Sequence, residues 1–142
     1  MMKKFRPGDL VEISSKEDGF VGSYYEAIII EPVGNNKYLV EYRTLITDDH
    51  KMFLREIVDA TEIRPSPPKF RVSDFRTYDQ VDVYANDGWW TGRIVGRNLS
   101  KYDVYFYRSS WETIGYRFSE LRVHQEWENG KWVVPCQSAL KV

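Results

Sequence analysis

The segment SYYEAII at residues 23–29 returns later in the chain as GWWTGRI at residues 88–94. Each segment begins with a small residue and two aromatics, and each ends in an isoleucine. Three further pairs of similar segments flank them in the same order: DLVEI at 9–13 and DQVDV at 79–83, KYLVEY at 37–42 and KYDVYF at 101–106, and EIRP at 62–65 and ELRV at 120–123. The chain therefore contains two copies of one small structural unit.

Several of the matched segments alternate apolar and polar residues, which is the pattern of β-strands with one buried face. Turn-forming residues separate these segments, among them GNN at 34–36 and NDG at 86–88. Only residues 48–60 indicate a helical turn. Short strands at regular spacing are typical of small β-barrels. We therefore predict an all-β chain that forms two small bent β-barrels in tandem.

Three prolines within residues 65–68 separate the two copies. Proline is excluded from central strands, and several together give a stiff, extended spacer. We place a first unit at residues 1–65, a Pro-rich linker at 66–72 and a second unit at 73–142. A unit of this size buries only about 60% of its unfolded surface, so we expect the two to pack as one module. Residues 131–135 predict one further strand.

Composition argues against several classes of protein. The 142 residues carry a formal net charge of −1, whereas a general nucleic-acid binder usually carries a clear basic excess. No apolar run approaches the roughly 20 residues of a membrane helix, and the N-terminus lacks the apolar core of a signal peptide. The single cysteine, Cys136, rules out an internal disulfide. These features predict an intracellular protein.

Catalysis and metal binding find little support in the sequence. The only histidines are His50 and His124, and the two copies share neither of them. No serine or cysteine lies in a recognisable nucleophile motif, and no Gly-rich loop could cradle a phosphate. The one candidate metal site, residues 48–50, has the composition of a solvated acidic loop. We predict a binding protein without cofactor or metal.

Aromatic residues make up 15% of the chain, more than two small cores need. Adjacent side chains in a strand point to opposite faces, so one member of each aromatic pair can stand at the rim of its barrel. The strand-end aromatics of the first unit form the predicted cage: Tyr24, Tyr25, Tyr42 and Phe53. The matched positions of the second unit form the alternative cage: Trp89, Trp90, Phe106 and Trp111.

A cage of this kind suits a methylated ammonium ion. Such an ion is weakly hydrated, and aromatic faces attract it by about 0.5–2 kcal/mol per ring. Carboxylates near the first cage, Asp48, Asp49 and Glu56, could accept the remaining N–H of a mono- or dimethylated lysine or contact neighbouring basic residues. Trimethyl-lysine has no such N–H. The residue types therefore predict a reader of methylated lysine.

Charge favours the first unit as the cage. Residues 1–65 carry 9 Lys and Arg against 12 Asp and Glu, whereas residues 66–142 carry 11 against 9. A basic peptide would be steered towards the acidic half. Tryptophan is nevertheless the best cation–π partner, and every tryptophan lies in the second half. The choice between the two cages stays open at this point.

The repeated segments resemble Agenet domains, which belong to the Tudor-like Royal superfamily of small bent β-barrels. The resemblance rests on FRPGDLVEI at 5–13, on YDQVDV at 78–83 followed by GWWTGRI, and on the proline-rich junction after Arg64. It covers nearly the whole chain as a tandem pair. In this family the cage positions correspond to Tyr24 or Tyr25, Tyr42 and Phe53.

The resemblance is to plant proteins with several such pairs. It implies recognition of the histone H3 tail dimethylated at its ninth-position lysine, in heterochromatin and gene silencing in the nucleus, and a preference for a nearby unmodified lysine. We expect a monomeric module that associates with no membrane.

Two alternatives from other classes remain. A nucleic-acid module, for RNA in particular, could use the basic residues interleaved with aromatics in the second unit: Arg93, Arg97, Lys101, Arg108 and Arg117. A docking scaffold that binds a partner without regard to methylation would use the barrel rims instead. Salt dependence of binding would mark the first alternative, and indifference to methylation the second.

Overall fold

The structure, a computed structural model, describes residues 4–135. Its strands are β1 (Leu10–Ile13), β2 (Ser23–Gly34), β3 (Lys37–Ile46), β4 (Phe53–Asp59), β5 (Ile63–Pro65), β6 (Gln80–Ala85), β7 (Gly88–Asn98), β8 (Lys101–Tyr105), β9 (Thr113–Arg117), β10 (Leu121–Val123), β11 (Glu126–Glu128) and β12 (Lys131–Val133). Two single 3₁₀ turns, Ala60–Glu62 and Phe118–Glu120, precede β5 and β10. The predicted all-β fold class is confirmed.

The two units repeat the same local structure. In each, a long second strand pairs antiparallel with the strands on either side. In each, the pairing shifts register immediately after the matched isoleucines, Ile29 and Ile94. Such a bulge bends the strand and increases its twist, and this curvature wraps the sheet around a small core. The hairpin turns at Asn35-Asn36 and Asn86-Asp87 have positive φ at both positions, as a tight hairpin requires.

Residues 48–60 differ from the sequence-based expectation. Instead of a helical turn, they form a turn and then β4, which pairs with β3 from Lys37↔Asp59 to Ile46↔Phe53. Pairing with a neighbouring strand overrides a weak local preference here. The strand predicted at residues 131–135 exists as β12, which pairs with β11. Cys136 lies outside the described residues.

One sheet runs through both units in the order β10-β6-β7-β2-β1-β5. The units meet where β2 pairs antiparallel with β7, in the register Ser23↔Trp90 and Tyr24↔Trp89. These are the matched strands of the repeat, and Tyr24 and Trp89 are matched residues. The antiparallel pairing of equivalent strands relates the units by an approximate twofold axis through this pair.

Each unit has its own hydrophobic core. The first is built around fully buried Ala27, Ile29 and Val40, and the second around Val81, Val83 and Val104. The Trp90 side chain packs against both cores. We retain residues 1–65, 66–72 and 73–142 as our proposed division of the chain, in which the linker joins two units that share a sheet.

A buried ionic network joins the two units. The Glu12 carboxylate, 1% exposed, accepts hydrogen bonds from Arg64 of its own unit at 2.7 Å and from Arg122 of the second unit at 2.8 Å. Arg122 also donates to Asp82, the counterpart of Glu12 in the repeat, at 2.9 Å. Neither arginine leaves its charge without a partner, so the interface holds both units in one arrangement.

The matched aromatics Tyr24 and Trp89 belong to this interface. The guanidinium of Arg64 stacks 3.5 Å from the centre of the Tyr24 ring. The guanidinium of Arg122 stacks 4.2 Å from the Trp89 ring. The same arginine–aromatic contact therefore occurs once in each unit, on either side of the twofold axis.

Candidate functional site

A pocket of about 210 Å³ opens at the rim of the first unit. We call it the first pocket. Its aromatic walls are Phe20, Tyr25 and Tyr42. Three carboxylates lie among its lining residues, Glu17, Glu56 and Glu62, and no basic residue lines it. The arrangement combines aromatic rings and negative charge, which is the chemistry that a weakly hydrated cation needs.

Strand pairing positions the side chains of the first pocket. Tyr25 lies on β2 and Tyr42 on β3, while Glu56 on the next strand, β4, lies opposite Val40. The Tyr42 hydroxyl donates a hydrogen bond to the Glu56 carboxylate at 2.7 Å. Burial, followed by this bond and the charge of Glu56, raises the pKa of Tyr42. Tyr42 therefore stays neutral, and Glu56 keeps its second oxygen for other donors.

The loop between β1 and β2 contributes the third ring. Phe20 packs edge-on against Tyr25, with ring centres 6.1 Å apart, and remains 41% exposed. The sequence prediction missed Phe20, because it lies in a loop before β2 and has no partner in the repeat. Its one sequence signal is its position directly after the turn residues Asp18-Gly19.

The structure brings only some of the predicted cage residues to the first pocket. Tyr25 and Tyr42 line it, together with Glu56, one of the three predicted acidic contacts. Tyr24 instead lies buried at the interface, where Arg64 covers its ring. Phe53, at the start of β4, is 49% exposed and lies outside the lining.

Two of the three predicted acidic contacts, Asp48 and Asp49, lie on the β3–β4 turn and are not among the residues that line the first pocket. Asp49 accepts hydrogen bonds from the Thr47 hydroxyl at 2.5 Å and from the Lys51 amide at 3.1 Å. These two bonds, in that order, lower the pKa of Asp49. Asp48 belongs to the same turn. Both carboxylates stand in the solvent-facing part of the acidic unit, and Asp49 has a local role in closing the turn.

A larger pocket of about 570 Å³ lies at the matched position of the second unit. We call it the second pocket. Its aromatic walls are Trp90, Phe106 and Tyr116, and Asp18 and Glu112 supply carboxylates. Of the alternative cage, it therefore contains Trp90 and Phe106. Trp89 lies under Arg122 at the interface, and Trp111 is 69% exposed and outside the lining.

Tyr116 was not among the predicted residues. It lies on β9 directly opposite Tyr102, with its ring edge-on to Phe106 at 5.9 Å between centres. Ile114, two residues earlier on the strand, also lines the second pocket. The period-two spacing of Ile114 and Tyr116 was the available signal.

The basic residues considered for nucleic acid are spread over the second unit, and several already have partners. Arg97 pairs with Asp74 at 3.1 Å and stacks on Tyr102 at 4.8 Å. Arg93 lies 5.5 Å from the Tyr107 ring. Arg108 lines the second pocket. The remaining two, Lys101 and Arg117, face each other across β8 and β9.

The fold of this chain is similar to that of known proteins. The family model of the Agenet domain matches residues 8–68. A crystal structure of AGD34 from Arabidopsis thaliana AGDP1 is similar over 92% of this chain and 90% of that chain, with a TM-score of 0.86 and 39% sequence identity. The chain belongs to the Agenet family.

Other tandem Agenet structures and longer plant proteins are similar too. The crystal structure of ADCP1 tandem Agenet domain 3-4 has a TM-score of 0.82 and 37% identity, over 93% of this chain and 89% of that one. Protein AGENET DOMAIN (AGD)-CONTAINING P1 of Arabidopsis thaliana is 40% identical over 134 residues, 94% of this chain. DUF724 domain-containing protein 6 of the same plant is 35% identical over 141 residues. The chain spans only 26% and 20% of those two proteins.

The described part of this Agenet module holds no group of three or more His, Cys, Asp or Glu side chains that could ligate a metal ion. Within residues 4–135 no helix is long and apolar enough to cross a membrane. His50, in the candidate metal loop, lies in a turn with φ of 59°. The relatives and solved structures described above indicate no catalytic family.

His124 of this Agenet module also lies at the interface between the units, next to Tyr24. The His124 ring is fully buried and bonds Asp82 at 2.7 Å through Nδ1 and Glu126 at 3.0 Å through Nε2. Burial alone would lower the pKa of His124, but the two carboxylates outweigh it and raise the pKa to about 9. Both ring nitrogens therefore donate hydrogen bonds, and the His124 ring is protonated in the folded chain at neutral pH.

We expect the free energy of unfolding to fall as the pH rises from about 6.5 to about 9. His124 has an ordinary pKa of 6.5 in the unfolded chain and about 9 in the folded one, so its contribution is complete below 6.5 and lost above 9. The loss amounts to roughly 3 kcal/mol at most. Urea unfolding at pH 6, 7.5 and 9.5 measures it. A His124→Gln variant should be less stable at pH 6 and show a flatter profile, whereas parallel profiles would contradict the assignment.

Proposed function

We propose that this tandem Agenet module is a chromatin reader that binds a methylated lysine of a histone tail in the first pocket. The favoured ligand is the histone H3 tail dimethylated at its ninth-position lysine. Reading requires no catalysis, because recognition rests on contacts alone. The single observation that carries the proposal is the convergence of Phe20, Tyr25 and Tyr42 with three carboxylates and no basic residue.

The aromatic rings would hold the methylammonium by cation–π attraction. Tyr25 and Tyr42 are 6% and 7% exposed, so their positions are fixed by packing, whereas Phe20 is 41% exposed and packs edge-on against Tyr25. Fixed rings avoid the entropy cost of ordering the site on binding. With about 0.5–2 kcal/mol from each ring, three rings contribute about 1.5–6 kcal/mol of the roughly 8 kcal/mol that micromolar affinity requires, and contacts to the rest of the peptide supply the remainder.

The charge of the first unit supports a basic peptide as the ligand. Glu17 and Glu62 line the first pocket beside Glu56, and the net charge of residues 1–65 is −3. A histone tail carries several Lys and Arg residues, which such a surface attracts and orients. A nuclear location on chromatin and a role in heterochromatin and gene silencing follow from the proposal. The module would act as a monomer, since one chain contains the complete pocket.

Replacing Glu56 by glutamine is expected to weaken binding of the dimethyl-lysine peptide by about tenfold and of the trimethyl-lysine peptide by much less. A dimethylammonium has one N–H, which the carboxylate accepts in a charge-assisted hydrogen bond worth about 1.5–3 kcal/mol. Calorimetric titration of both peptides measures the ratio. Asp48→Asn, at an exposed position of the β3–β4 turn outside the lining, is the matched control and should leave both constants unchanged. An equal loss of affinity for the two peptides would show that Glu56 does not accept the N–H of the dimethylammonium.

A further inference from the structure

We propose that Ser66, in the linker between the two units, is a phosphorylation site for a proline-directed protein kinase, and that Lys69 and Arg71 hold the phosphate. The inference does not depend on the proposed function, because none of these three residues lines the first pocket. It rests on the linker sequence, on the conformation and exposure of Ser66, and on the charges of a cavity that Ser66 lines.

The linker contains the sequence that a proline-directed kinase selects. Ser66 is the only serine or threonine of the chain that a proline follows. Because proline has no backbone N–H, a kinase cleft without an acceptor at this position accepts proline there and disfavours residues whose N–H would lose its hydrogen bond. Kinases of this class also favour a basic residue at the third position after the serine. Lys69 stands at that position, so the segment 66–69 has the complete pattern.

The linker presents Ser66 as part of an extended chain. A residue before proline is confined to extended or polyproline II backbone, so Pro67 fixes the conformation of Ser66, and Pro68 fixes that of Pro67. The preceding strand, β5, ends at Pro65 and lies at the edge of the sheet. The Ser66 side chain is exposed. A kinase binds its substrate segment as an extended chain, so this segment loses little conformational entropy on entering the cleft.

Two hydrogen bonds of the linker backbone anchor it to both units. The Ser66 N–H donates to the Leu10 carbonyl at 3.3 Å. The Pro68 carbonyl accepts a hydrogen bond from the Gln125 side-chain amide at 3.0 Å. These bonds occupy backbone atoms only. The exposed side chain of Ser66 is therefore presented at a defined place on the surface of the folded module.

A cavity of about 350 Å³ beside the linker contains the groups that would receive the phosphate. Ser66, Lys69 and Arg71 line it, and both basic side chains are exposed. A phosphoserine carries about −1.5 to −2 charges at pH 7 and has three strong acceptor oxygens. A lysine and an arginine satisfy these oxygens with charge-assisted hydrogen bonds.

Other charged residues of this cavity belong to the interface network. Glu12 and Arg122 bond each other at 2.8 Å, and Arg122 also donates to Asp82 at 2.9 Å. Glu26, which also lines the cavity, is half-buried and lies opposite Glu12 in the pairing of β1 with β2. The two exposed linker cations therefore outweigh the charge of Glu26 at the place where the phosphate would lie.

The transfer uses MgATP, which the kinase binds. The Ser66 Oγ attacks the γ-phosphorus, and the new O–P bond forms as the bond from that phosphorus to the departing ADP oxygen breaks. The hydroxyl proton passes to the aspartate base of the kinase. The phosphate neutralises the exposed basic charge of the linker and leaves the residues that line both pockets unchanged.

The first test incubates the full chain with a purified cyclin-dependent kinase and MgATP, and mass spectrometry counts and locates the phosphate. We expect one phosphate per chain, on Ser66, and none on Ser66→Ala. Ser73→Ala removes an exposed serine that an aspartate follows, and this control should be phosphorylated as the wild type is. Lys69→Gln should lower kcat/KM at least about tenfold, whereas Arg71→Gln should leave it unchanged.

Three results would overturn the assignment of Ser66: no incorporation into the folded chain, incorporation that survives in Ser66→Ala, or slow phosphorylation of the folded chain relative to a free peptide. A kcat/KM more than about a hundredfold below that of the peptide of residues 62–72 would show that the kinase reaches the serine only when the fold opens.

Phosphorus NMR of the phosphorylated chain tests whether the linker cations hold the phosphate. The second pKa of phosphoserine is about 6, and neighbouring cations lower it because they stabilise the dianion. We expect this pKa to be at least about 0.3 lower in the wild type than in Arg71→Gln, which keeps the kinase motif. Lys16→Gln, which removes an exposed cation outside the cavity, should keep the wild-type value. Equal pKa values in the wild type and Arg71→Gln would overturn the role of Arg71.

Discussion

Replacing Glu12 by alanine is expected to lower the free energy of unfolding by about 3–5 kcal/mol, the cost of breaking a buried ion pair from one side. The Glu12 carboxylate is 1% exposed and serves Arg64 and Arg122, one from each unit. Without this carboxylate, the guanidinium groups of Arg64 and Arg122 each lose a buried ion-pair partner at the interface. Asp82 remains for Arg122, whereas Arg64 keeps the Gln125 carbonyl, at 2.6 Å, as its acceptor among residues 4–135.

The positions of the tryptophans make it possible to measure how a change in the first unit affects the unfolding of the second. All five lie in residues 89–132, so intrinsic fluorescence reports on the second unit, whereas Glu12 belongs to the first. If the two units unfold together, Glu12→Ala shifts the fluorescence transition in urea as far as it shifts the far-ultraviolet circular dichroism. The matched control is Glu41→Ala, which breaks the exposed pair with Arg55 and should cost no more than about 1 kcal/mol. A Glu12→Ala effect as small as the control would contradict the account of the interface.

Substitution of the first-pocket rings is expected to reduce the affinity for dimethyl-lysine peptide by about 2- to 30-fold for each ring, following the 0.5–2 kcal/mol that one cation–π contact contributes. Phe20→Ala tests an exposed ring that no core depends on. Tyr42→Leu tests a buried ring while keeping apolar volume in its place, so the unit stays folded. Calorimetry with a single peptide measures both.

The controls for this prediction come from the aromatic residues that the sequence proposed and the structure places elsewhere. Phe53→Ala and Trp111→Ala remove exposed rings outside both pockets. Both variants should bind as the wild type does. Strong loss of binding in Phe53→Ala, with none in Phe20→Ala, would favour the cage that the sequence predicts. It would contradict the proposal that the first pocket is the binding site.

The fold could be predicted from the sequence because the patterns that indicate it are local. Alternation in segments such as KYLVEY, turn residues such as Asn35-Asn36, and the order of the repeat each depend on neighbours along the chain. The indication of a helical turn at residues 48–60 was wrong, because β4 gains its structure from pairing with β3, a contact that no local pattern contains.

The residues of the site could be predicted only in part, because contacts between residues far apart in the sequence decide which side chains line the pocket. The sequence shows that one member of each aromatic pair faces away from the other, but the β2–β7 pairing decides that Tyr24 and Trp89 face the partner unit. The arginines that cover them, Arg64 and Arg122, lie on the last strand of the repeat in each unit, β5 and β10. Phe20 enters through a loop that has no counterpart in the repeat, so neither alternation nor matching could reveal it.

The most direct test of the central proposal is calorimetric titration of the chain with histone H3 tail peptides that are unmodified, or mono-, di- or trimethylated at the ninth-position lysine. We expect a micromolar constant for the dimethyl peptide, about tenfold or more tighter than for the unmodified peptide, and a smaller difference between the two peptides in Phe20→Ala. Equal affinity for all four peptides, or a difference that is undiminished in Phe20→Ala, would contradict the proposal.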